Sequence, residues 1–204
     1  FLEEVFAPFV EPGYLRIVYG GGDVGEMLVN HPLVDDIHIT GSDETHDLIV
    51  WGPPGPERDR RKREGDPVLT KPITSELGNV SPVAIVPAHY SERQLAFQAR
   101  NAATMVAQNG SFNCNAVKML VTSESWPQRE QFFDLLSAAL ANIPLHTAYY
   151  PGAFDRYERL VGDRSGVETI GQADADCLAW TVVRDLDPAD PHEDLFRTEP
   201  FCGI

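Results

Sequence analysis

The order of apolar and polar positions along the first third of the chain predicts alternating strands and helices. Short apolar runs at 14–19 and 36–39 are typical of strands, and a helix is predicted over 25–30 between them. The second strand ends at Thr40-Gly41-Ser42, and a helical stretch follows. Strands and helices in alternation at this spacing indicate a parallel α/β layer.

The stretch 53–70 has a different character, because prolines and basic residues replace the apolar pattern. A segment of this kind is not expected to form a packed element. The residues concerned are Pro53, Pro54, Pro56, Pro67, Arg58, Arg60, Arg61, Lys62 and Arg63. We therefore predict a solvated loop here, which separates two parts of the chain.

The rest of the chain is more regular and predicts further strands and helices. Strands are expected at 82–86, 117–121 and 177–183, and a short helix over 153–161. Ser91 and Gln94 have the spacing of a capping box. It opens a helix with one apolar face, and another helix begins near Ser125-Trp126-Pro127-Gln128. The predicted buried faces comprise Leu95, Ala99, Ala102, Ala103, Val106, Phe132, Phe133, Leu136, Ala139 and Leu140. The fold class is α/β throughout.

Composition and charge narrow the classes of partner. The chain has 204 residues, 43% hydrophobic and 23% charged, and a net charge of −15. That charge argues against binding to nucleic acid or to an anionic membrane. No run of about 18 apolar residues occurs, so no membrane span is expected. Three cysteines without a Cys-x-x-Cys pair suit a reducing compartment, and we expect the cytoplasm. The six dispersed histidines predict no metal site.

Cys114 lies between a predicted helix and a predicted strand, with the small or polar neighbours Asn113, Asn115 and Ala116. These neighbours suit a thiol that a substrate must reach, whereas Cys177 lies in an apolar run and fits a buried structural thiol. A free thiol has a pKa of about 8.5, so a nucleophilic cysteine needs activation at neutral pH. A structural role is the alternative for Cys114.

Glu76 lies at the start of an apolar stretch, in the sequence Ser-Glu-Leu-Gly. A carboxylate in such surroundings is expected to lose water, which raises its pKa and makes it a better general base near neutral pH. A solvated surface acid is the alternative for a single glutamate.

The glycine pattern Gly20-x-Gly22-x-x-Gly25 follows a predicted strand and opens a predicted helix. A dinucleotide-binding fingerprint has this context, and Asp43 would stand about where the ribose-binding acid is expected. Glycine-rich turns are common, however, so an ordinary turn is the alternative, and both interpretations stay open on these residues alone.

Six short blocks, taken together and in order, resemble the aldehyde dehydrogenase superfamily. They are Gly20 to Gly25, His31-Pro32-x-Val34, Ile39-Thr40-Gly41-Ser42, Glu76-Leu77-Gly78, Cys114-x-Ala116 and Glu199-x-Phe201. The resemblance implies a truncated three-layer α/β/α fold with a mostly parallel sheet. It also implies that 1–75 is the end of the NAD(P)-binding domain and that 76–204 is an incomplete catalytic domain.

The resemblance further implies a reaction, a cofactor and site residues. An aldehyde would be oxidised to its acid with NAD or NADP, through a thioester on Cys114 that Glu76 hydrolyses as general base. The Cys114 backbone N–H would stabilise the oxyanion. Glu199, and not Asp43, would bind the hydroxyl groups of a ribose, and Phe201 would pack beside the nicotinamide. The implied cofactor-binding residues are Gly20, Gly25, Gly41, Ser42, Leu77, Glu199 and Phe201. The full-length protein would be a homodimer or homotetramer, and this chain alone is expected to be inactive.

Several positions depart from the family pattern. Asn79 follows Gly78 where a second glycine is usual, Ser111 and Phe112 replace Gly-Gln, and His46 and Cys202 stand where glycines are expected. Two other functions therefore stay open. One is a CoA-acylating dehydrogenase or acyl reductase, which can act without the Glu76 base; the other is a non-catalytic nucleotide-binding relative.

Overall fold

The computed structural model describes residues 1–204 as two units, Phe1–Leu77 and Gly78–Ile204. The elements of the first are α1 (Leu2–Val5), α2 (Ala7–Val10), α3 (Gly22–Asn30), β1 (Ile37–Gly41), α4 (Asp43–Trp51), α5 (Pro56–Glu64) and β2 (Ile73–Leu77). The functional assignment of the predicted domains 1–75 and 76–204 stays a prediction.

Two parallel strands organise the first unit. β1 pairs with β2 in a register that sets Thr40 opposite Glu76 and Gly41 opposite Leu77. The predicted strand at 36–39 is confirmed, and so is the helix before it, which begins at Gly22. This register places two of the predicted blocks side by side at one end of the strand pair.

The predicted strand at 14–19 is wrong. These residues form no regular element, and Tyr14, Val18 and Tyr19 are exposed. A strand is stabilised by backbone hydrogen bonds to a neighbour and by burial of one face. The segment pairs with no other strand, and its apolar residues Leu15 and Ile17 are only half-buried, so its apolar composition alone was misleading.

The predicted loop at 53–70 is wrong as well, because α5 occupies Pro56–Glu64. Pro56 lies in the first turn, where its missing N–H costs no hydrogen bond. Acidic residues then alternate with the basic ones at helical spacing. Arg60 pairs with Glu57 at 2.7 Å and also with Glu64, and Arg61 pairs with Glu57 at 3.0 Å. Such ion pairs stabilise the helix surface, although the basic residues by themselves would be expected to repel one another.

The second unit contains three helices and four strands. They are β3 (Pro82–Ala84), α6 (Glu92–Ala107), β4 (Met119–Val121), α7 (Arg129–Ala141), α8 (Ala153–Val161), β5 (Val167–Ile170) and β6 (Trp180–Val183). Short 3-10 helices lie at Gln108–Ser111 and Asp194–Phe196. No helix of either unit is both long and apolar enough to cross a membrane.

The main core of this unit lies around α6 and α7. Its buried members are Leu95, Ala99, Ala102, Ala103, Trp126, Phe132, Phe133, Leu136, Leu140, Ile170 and Trp180. These include most of the two predicted apolar faces; Val106 and Ala139 are half-buried against the same cluster. The predicted capping box is confirmed, since Ser91 and Gln94 exchange hydrogen bonds at the start of α6. Periodicity therefore identified the core correctly.

Strand pairing is mostly parallel, as predicted. β3 pairs with β4 in parallel, whereas β5 and β6 are antiparallel. The strand predicted at 177–183 begins only at Trp180. Cys177 forms an isolated bridge with Thr147 and is half-buried, so it does not lie inside an apolar strand. The helix expected from Ser125 begins at Arg129, after a turn.

Candidate active site

Cys114 lies on a loop between α6 and β4, as the sequence predicts. α6 ends at Ala107, and Asn109, Gly110 and Ser111 then adopt left-handed backbone conformations that reverse the chain. A left-handed conformation costs a non-glycine residue about 1–3 kcal/mol, so it persists only where surrounding contacts hold it. The loop that presents the thiol is therefore strained and must be held by its neighbours.

The backbone around Cys114 is held from one side by the segment before β3. Ser81 Oγ donates to the Cys114 carbonyl at 2.8 Å, and Asn79 Nδ2 reaches the same oxygen at 3.4 Å. The half-buried thiol donates to Asn113 Oδ1 at 3.6 Å, which also accepts from the Asn115 N–H. The chain provides no acceptor for the Cys114 N–H. That N–H is therefore without an intramolecular partner, and its role toward an oxyanion stays a prediction.

Lys118 lies four residues beyond Cys114, just before β4. Its ammonium donates to the Ser111 carbonyl at 2.6 Å and also to Ser111 Oγ. A third bond reaches the Cys202 carbonyl at 3.2 Å. Burial lowers the pKa of Lys118 to about 8, although Cys202 and Glu199 act in the opposite direction. One lysine thus joins the cysteine loop to the chain after Glu199.

The Glu199 carboxylate is half-buried and lies directly against Gly78. A Cβ at Gly78 would overlap Glu199 Oε2, so this close approach requires glycine. Glu199 Oε1 is buried and has no hydrogen-bond partner. Burial raises the pKa of the Glu199 carboxyl, while the charge of Lys118 lowers it. A buried acceptor without a donor is unusual and fits a hydroxyl-bearing ligand.

Phe201 belongs to an aromatic group beside the cysteine loop. Its ring lies 4.7 Å from that of Tyr150 and 6.4 Å from that of the buried Phe112. Arg156 stacks on Tyr150 at 5.6 Å and donates from Nε to the Pro200 carbonyl at 3.1 Å. Phe201 itself has a left-handed backbone, with φ of 47°. Next to it, burial raises the pKa of the Cys202 thiol to about 11.

The remaining predicted residues belong to the first unit. Glu76 and Leu77 lie on β2, where Leu77 is half-buried and Glu76 is exposed. The burial expected of a general base at Glu76 is therefore absent from this chain. Gly41 ends β1, and Ser42 caps α4 by accepting from the Thr45 N–H at 3.1 Å.

The glycine pattern at Gly20 to Gly25 opens α3, as predicted. A Cβ at Gly20 would lie 2.6 Å from Val24 Cβ, so packing of the turn on the helix excludes a side chain. Gly25 has no atom within 4 Å of its Cβ position. The turn geometry therefore explains the first glycine and does not explain the last.

The structure adds residues that sequence reasoning missed. Lys118, Ser81 and Arg156 hold the backbone next to the predicted site residues, and Asn79, a departure from the family pattern, contacts the Cys114 carbonyl. Lys118 had a sequence signal, because it is a charge inside the apolar run 117–121. Ser81 and Arg156 had none. No cluster of three or more potential metal ligands occurs.

Comparison with known proteins identifies the fold. No protein-family model and no curated protein sequence matches the chain. Solved structures do. An NADP-dependent glyceraldehyde-3-phosphate dehydrogenase from Bacillus halodurans, complexed with NADP, matches 98% of the chain with a TM-score of 0.72 and 18% identity.

Two further structures give the same result. An aldehyde dehydrogenase from Pseudomonas syringae, complexed with NAD+ and octanal, matches 98% of the chain with a TM-score of 0.71 and 18% identity. A gamma-glutamyl-gamma-aminobutyraldehyde dehydrogenase from Burkholderia cenocepacia matches 95% with a TM-score of 0.67 and 21% identity. The chain spans 41%, 42% and 40% of the three proteins' lengths. Over nearly its whole length, the chain has the fold of a part of the aldehyde dehydrogenases.

Proposed function

We propose that the full-length protein oxidises an aldehyde to a carboxylic acid with NAD or NADP, using Cys114 as nucleophile and Glu76 as general base. The observation that carries the proposal is the second unit's arrangement within an aldehyde dehydrogenase fold. There, a half-buried thiol stands on a held loop, and a buried Glu199 oxygen lacks a donor. Two of the similar structures are complexed with NADP or NAD+, which supports this class of cofactor.

The proposed chemistry divides the oxidation into two steps. The Cys114 thiolate adds to the aldehyde carbon, forming a C–S bond and an oxyanion that the Cys114 N–H stabilises. Loss of hydride from that carbon leaves a thioester. Glu76 then removes a proton from water, which adds to the thioester carbon and breaks the C–S bond. The products are the acid and the free thiolate.

The cofactor is proposed to bind Glu199 and Phe201. Glu199 Oε1 would accept from a ribose hydroxyl, which satisfies its missing hydrogen bond. Phe201 would pack against the nicotinamide. Gly41, Ser42, Gly20, Gly25 and Leu77 stay the predicted contacts of the first unit. When bound, the cofactor supplies the hydride acceptor, while the protein supplies orientation and electrostatics.

The test is NADH or NADPH formation by the full-length protein with short, long and aromatic aldehydes. Activity with at least one aldehyde is expected. Cys114→Ser should abolish it, because an alcohol without a base is a far weaker nucleophile than a thiolate. Cys177→Ser is the matched control and should keep full turnover. If no aldehyde of the panel gives NADH or NADPH, with the protein folded and Cys114 free, the proposal is contradicted.

A second candidate is a CoA-acylating dehydrogenase or acyl reductase. It is favoured by the exposure of Glu76, because a thiol or a hydride then resolves the thioester without a carboxylate base. Glu76→Gln in the same assay separates the two. A loss of about a hundredfold or more is expected for a hydrolytic enzyme, whereas full turnover, or turnover only with coenzyme A, would support the second candidate.

A further inference from the structure

Two non-glycine residues with left-handed backbones flank the proposed chemistry. Ser111, with φ of 67°, lies three residues before Cys114, and Phe201, with φ of 47°, lies two residues after Glu199. Side chains clash with the backbone in this conformation, so each residue needs outside contacts to keep it. Both the thiol and the carboxylate therefore stand beside strained backbone.

Half-buried cations hold both of these places. Lys118 donates to the carbonyl and hydroxyl of Ser111 and, on its other side, to the Cys202 carbonyl. Arg156 donates to the Pro200 carbonyl, so side-chain hydrogen bonds hold the backbone on both sides of Phe201. The three donors of the ammonium match its three acceptors. A hydrophobic side chain of equal length would fill the space but would leave the Ser111 carbonyl without a donor, while the Cys202 carbonyl would keep only its bond from the Ile204 N–H at 2.8 Å.

We propose that Lys118 is a positioning residue that clamps the Cys114 loop to the Glu199–Cys202 segment, so that thiol reactivity and cofactor affinity depend on the same ammonium. It acts through Ser111 and Cys202. The cofactor part rests on the proposed function, and the thiol part does not.

The left-handed backbone of Ser111 makes it possible to separate the two ends of the clamp. Glycine adopts the left-handed conformation without a clash. A Ser111→Gly change should therefore remove the need for Lys118 at the Cys114 loop, but not at Cys202. Rescue at one end only is a result that a general loss of packing would not produce.

The first experiment uses the full-length protein and measures alkylation of Cys114 by iodoacetamide, followed by mass spectrometry, together with the Kd for NADH. Lys118→Met should change the alkylation rate and weaken NADH binding, each by about tenfold, if the loop and the segment lose their defined positions. Adding Ser111→Gly should return the alkylation rate to within about threefold of the parent value and leave the Kd weak.

Lys71→Met is the matched control. Lys71 also joins two backbone carbonyls, those of Val29 and His31 at 2.7 Å each, but it belongs to the first unit. It should not change Cys114 alkylation. An unchanged alkylation rate in folded Lys118→Met, or equal changes in both lysine variants, would overturn the proposal.

A measurement on the unmodified protein covers the case in which Lys118→Met does not fold. Opening either segment would expose the same ammonium, whose pKa in the folded chain is about 8 against an ordinary 10.5. The open state binds more protons than the folded one between these two pKa values, so amide-exchange protection of 111–114 and 202–204 should rise in parallel from about pH 8 to about pH 10.5, after correction for intrinsic exchange. Glu199, Cys202 and Arg156 are the other ionisable groups facing this site. Independent pH responses of the two segments would contradict the clamp.

These readouts separate the clamp from the proposed function. If no aldehyde is oxidised and NADH does not bind, but alkylation and exchange behave as described, the clamp stands and the oxidoreductase proposal fails. If aldehydes are oxidised and Lys118→Met changes neither alkylation nor exchange, the reverse holds.

Discussion

At the residue scale, the contact between Gly78 and Glu199 sets the position of a half-buried carboxylate. Glu199 Oε2 lies where a Gly78 side chain would begin, and Oε1 has no partner. The carboxylate is thus confined by Gly78 at Oε2, while Oε1 is buried without a hydrogen-bond donor. If Glu199 binds a ribose hydroxyl, its affinity for cofactor depends on the absence of one methyl group at Gly78.

Gly78→Ala tests this dependence. The added Cβ would push the Glu199 carboxylate away from its present position, and we expect NADH binding to weaken by about tenfold or more, the cost of one misplaced hydrogen bond to a charged group. Isothermal titration of the full-length protein would measure the change, and near-ultraviolet circular dichroism would verify the fold. Equal Kd values for parent and variant would mean that Glu199 does not contact the cofactor.

Three residues that depart from the family pattern make specific contacts in this chain. Asn79 contacts the Cys114 carbonyl, Ser111 accepts from Lys118, and Phe112 packs between Tyr149 and Phe201. These residues therefore help to hold the Cys114 loop in position.

At the element scale, α6 is the helix that delivers the chain to the Cys114 loop. Its start is defined by the capping box of Ser91 and Gln94, and its apolar face is buried against α7. Its end leads directly into the left-handed turn at 109–111. The position of the thiol therefore depends on a helix with a well-defined beginning.

Ser91→Ala should lower the free energy of unfolding by about 1 kcal/mol, because the Gln94 N–H loses its side-chain acceptor. Ser137→Ala is the matched control: its Oγ is buried in α7 without any partner, so removing it should be neutral or stabilising. Urea midpoints of the two variants and the parent would give the comparison. A Ser137 variant less stable than the Ser91 variant would contradict both assignments.

At the scale of the whole molecule, burial differs between the two units. Among the apolar side chains of Phe1–Leu77 only Val50 and Leu69 are buried, whereas Gly78–Ile204 holds the main core around α6 and α7. Buried apolar area is the main source of stability in a fold. The first unit should therefore be the less stable of the two in this chain.

Hydrogen exchange of this 204-residue chain would measure the difference. Amides of α3 and α4 should exchange at least about tenfold faster than those of α6 and α7, since opening frees less buried surface. The antiparallel pair of β5 and β6 serves as an internal reference within the second unit. Equal protection of α4 and α6 would show that burial is not what governs stability here.

The sequence by itself determined the features that depend on neighbours along the chain. The apolar faces of α6 and α7, the capping box at Ser91 and the loop position of Cys114 all follow from spacings of a few residues. The order of the six short blocks likewise predicted the aldehyde dehydrogenase fold, although no single block was enough for that prediction. Local periodicity and capping act within one or two helical turns, which is why they could be read directly.

Only the tertiary structure decided the features that join distant residues. The bond from Lys118 to Cys202 spans 84 positions, and no local pattern indicates such a partner. The tertiary structure also decided the exposure of Glu76, the position of the half-buried Glu199 beside Gly78 and the missing strand at 14–19. Burial, strand pairing and the neutralisation of charge depend on contacts between residues that are far apart in the sequence. These contacts form only in the folded chain.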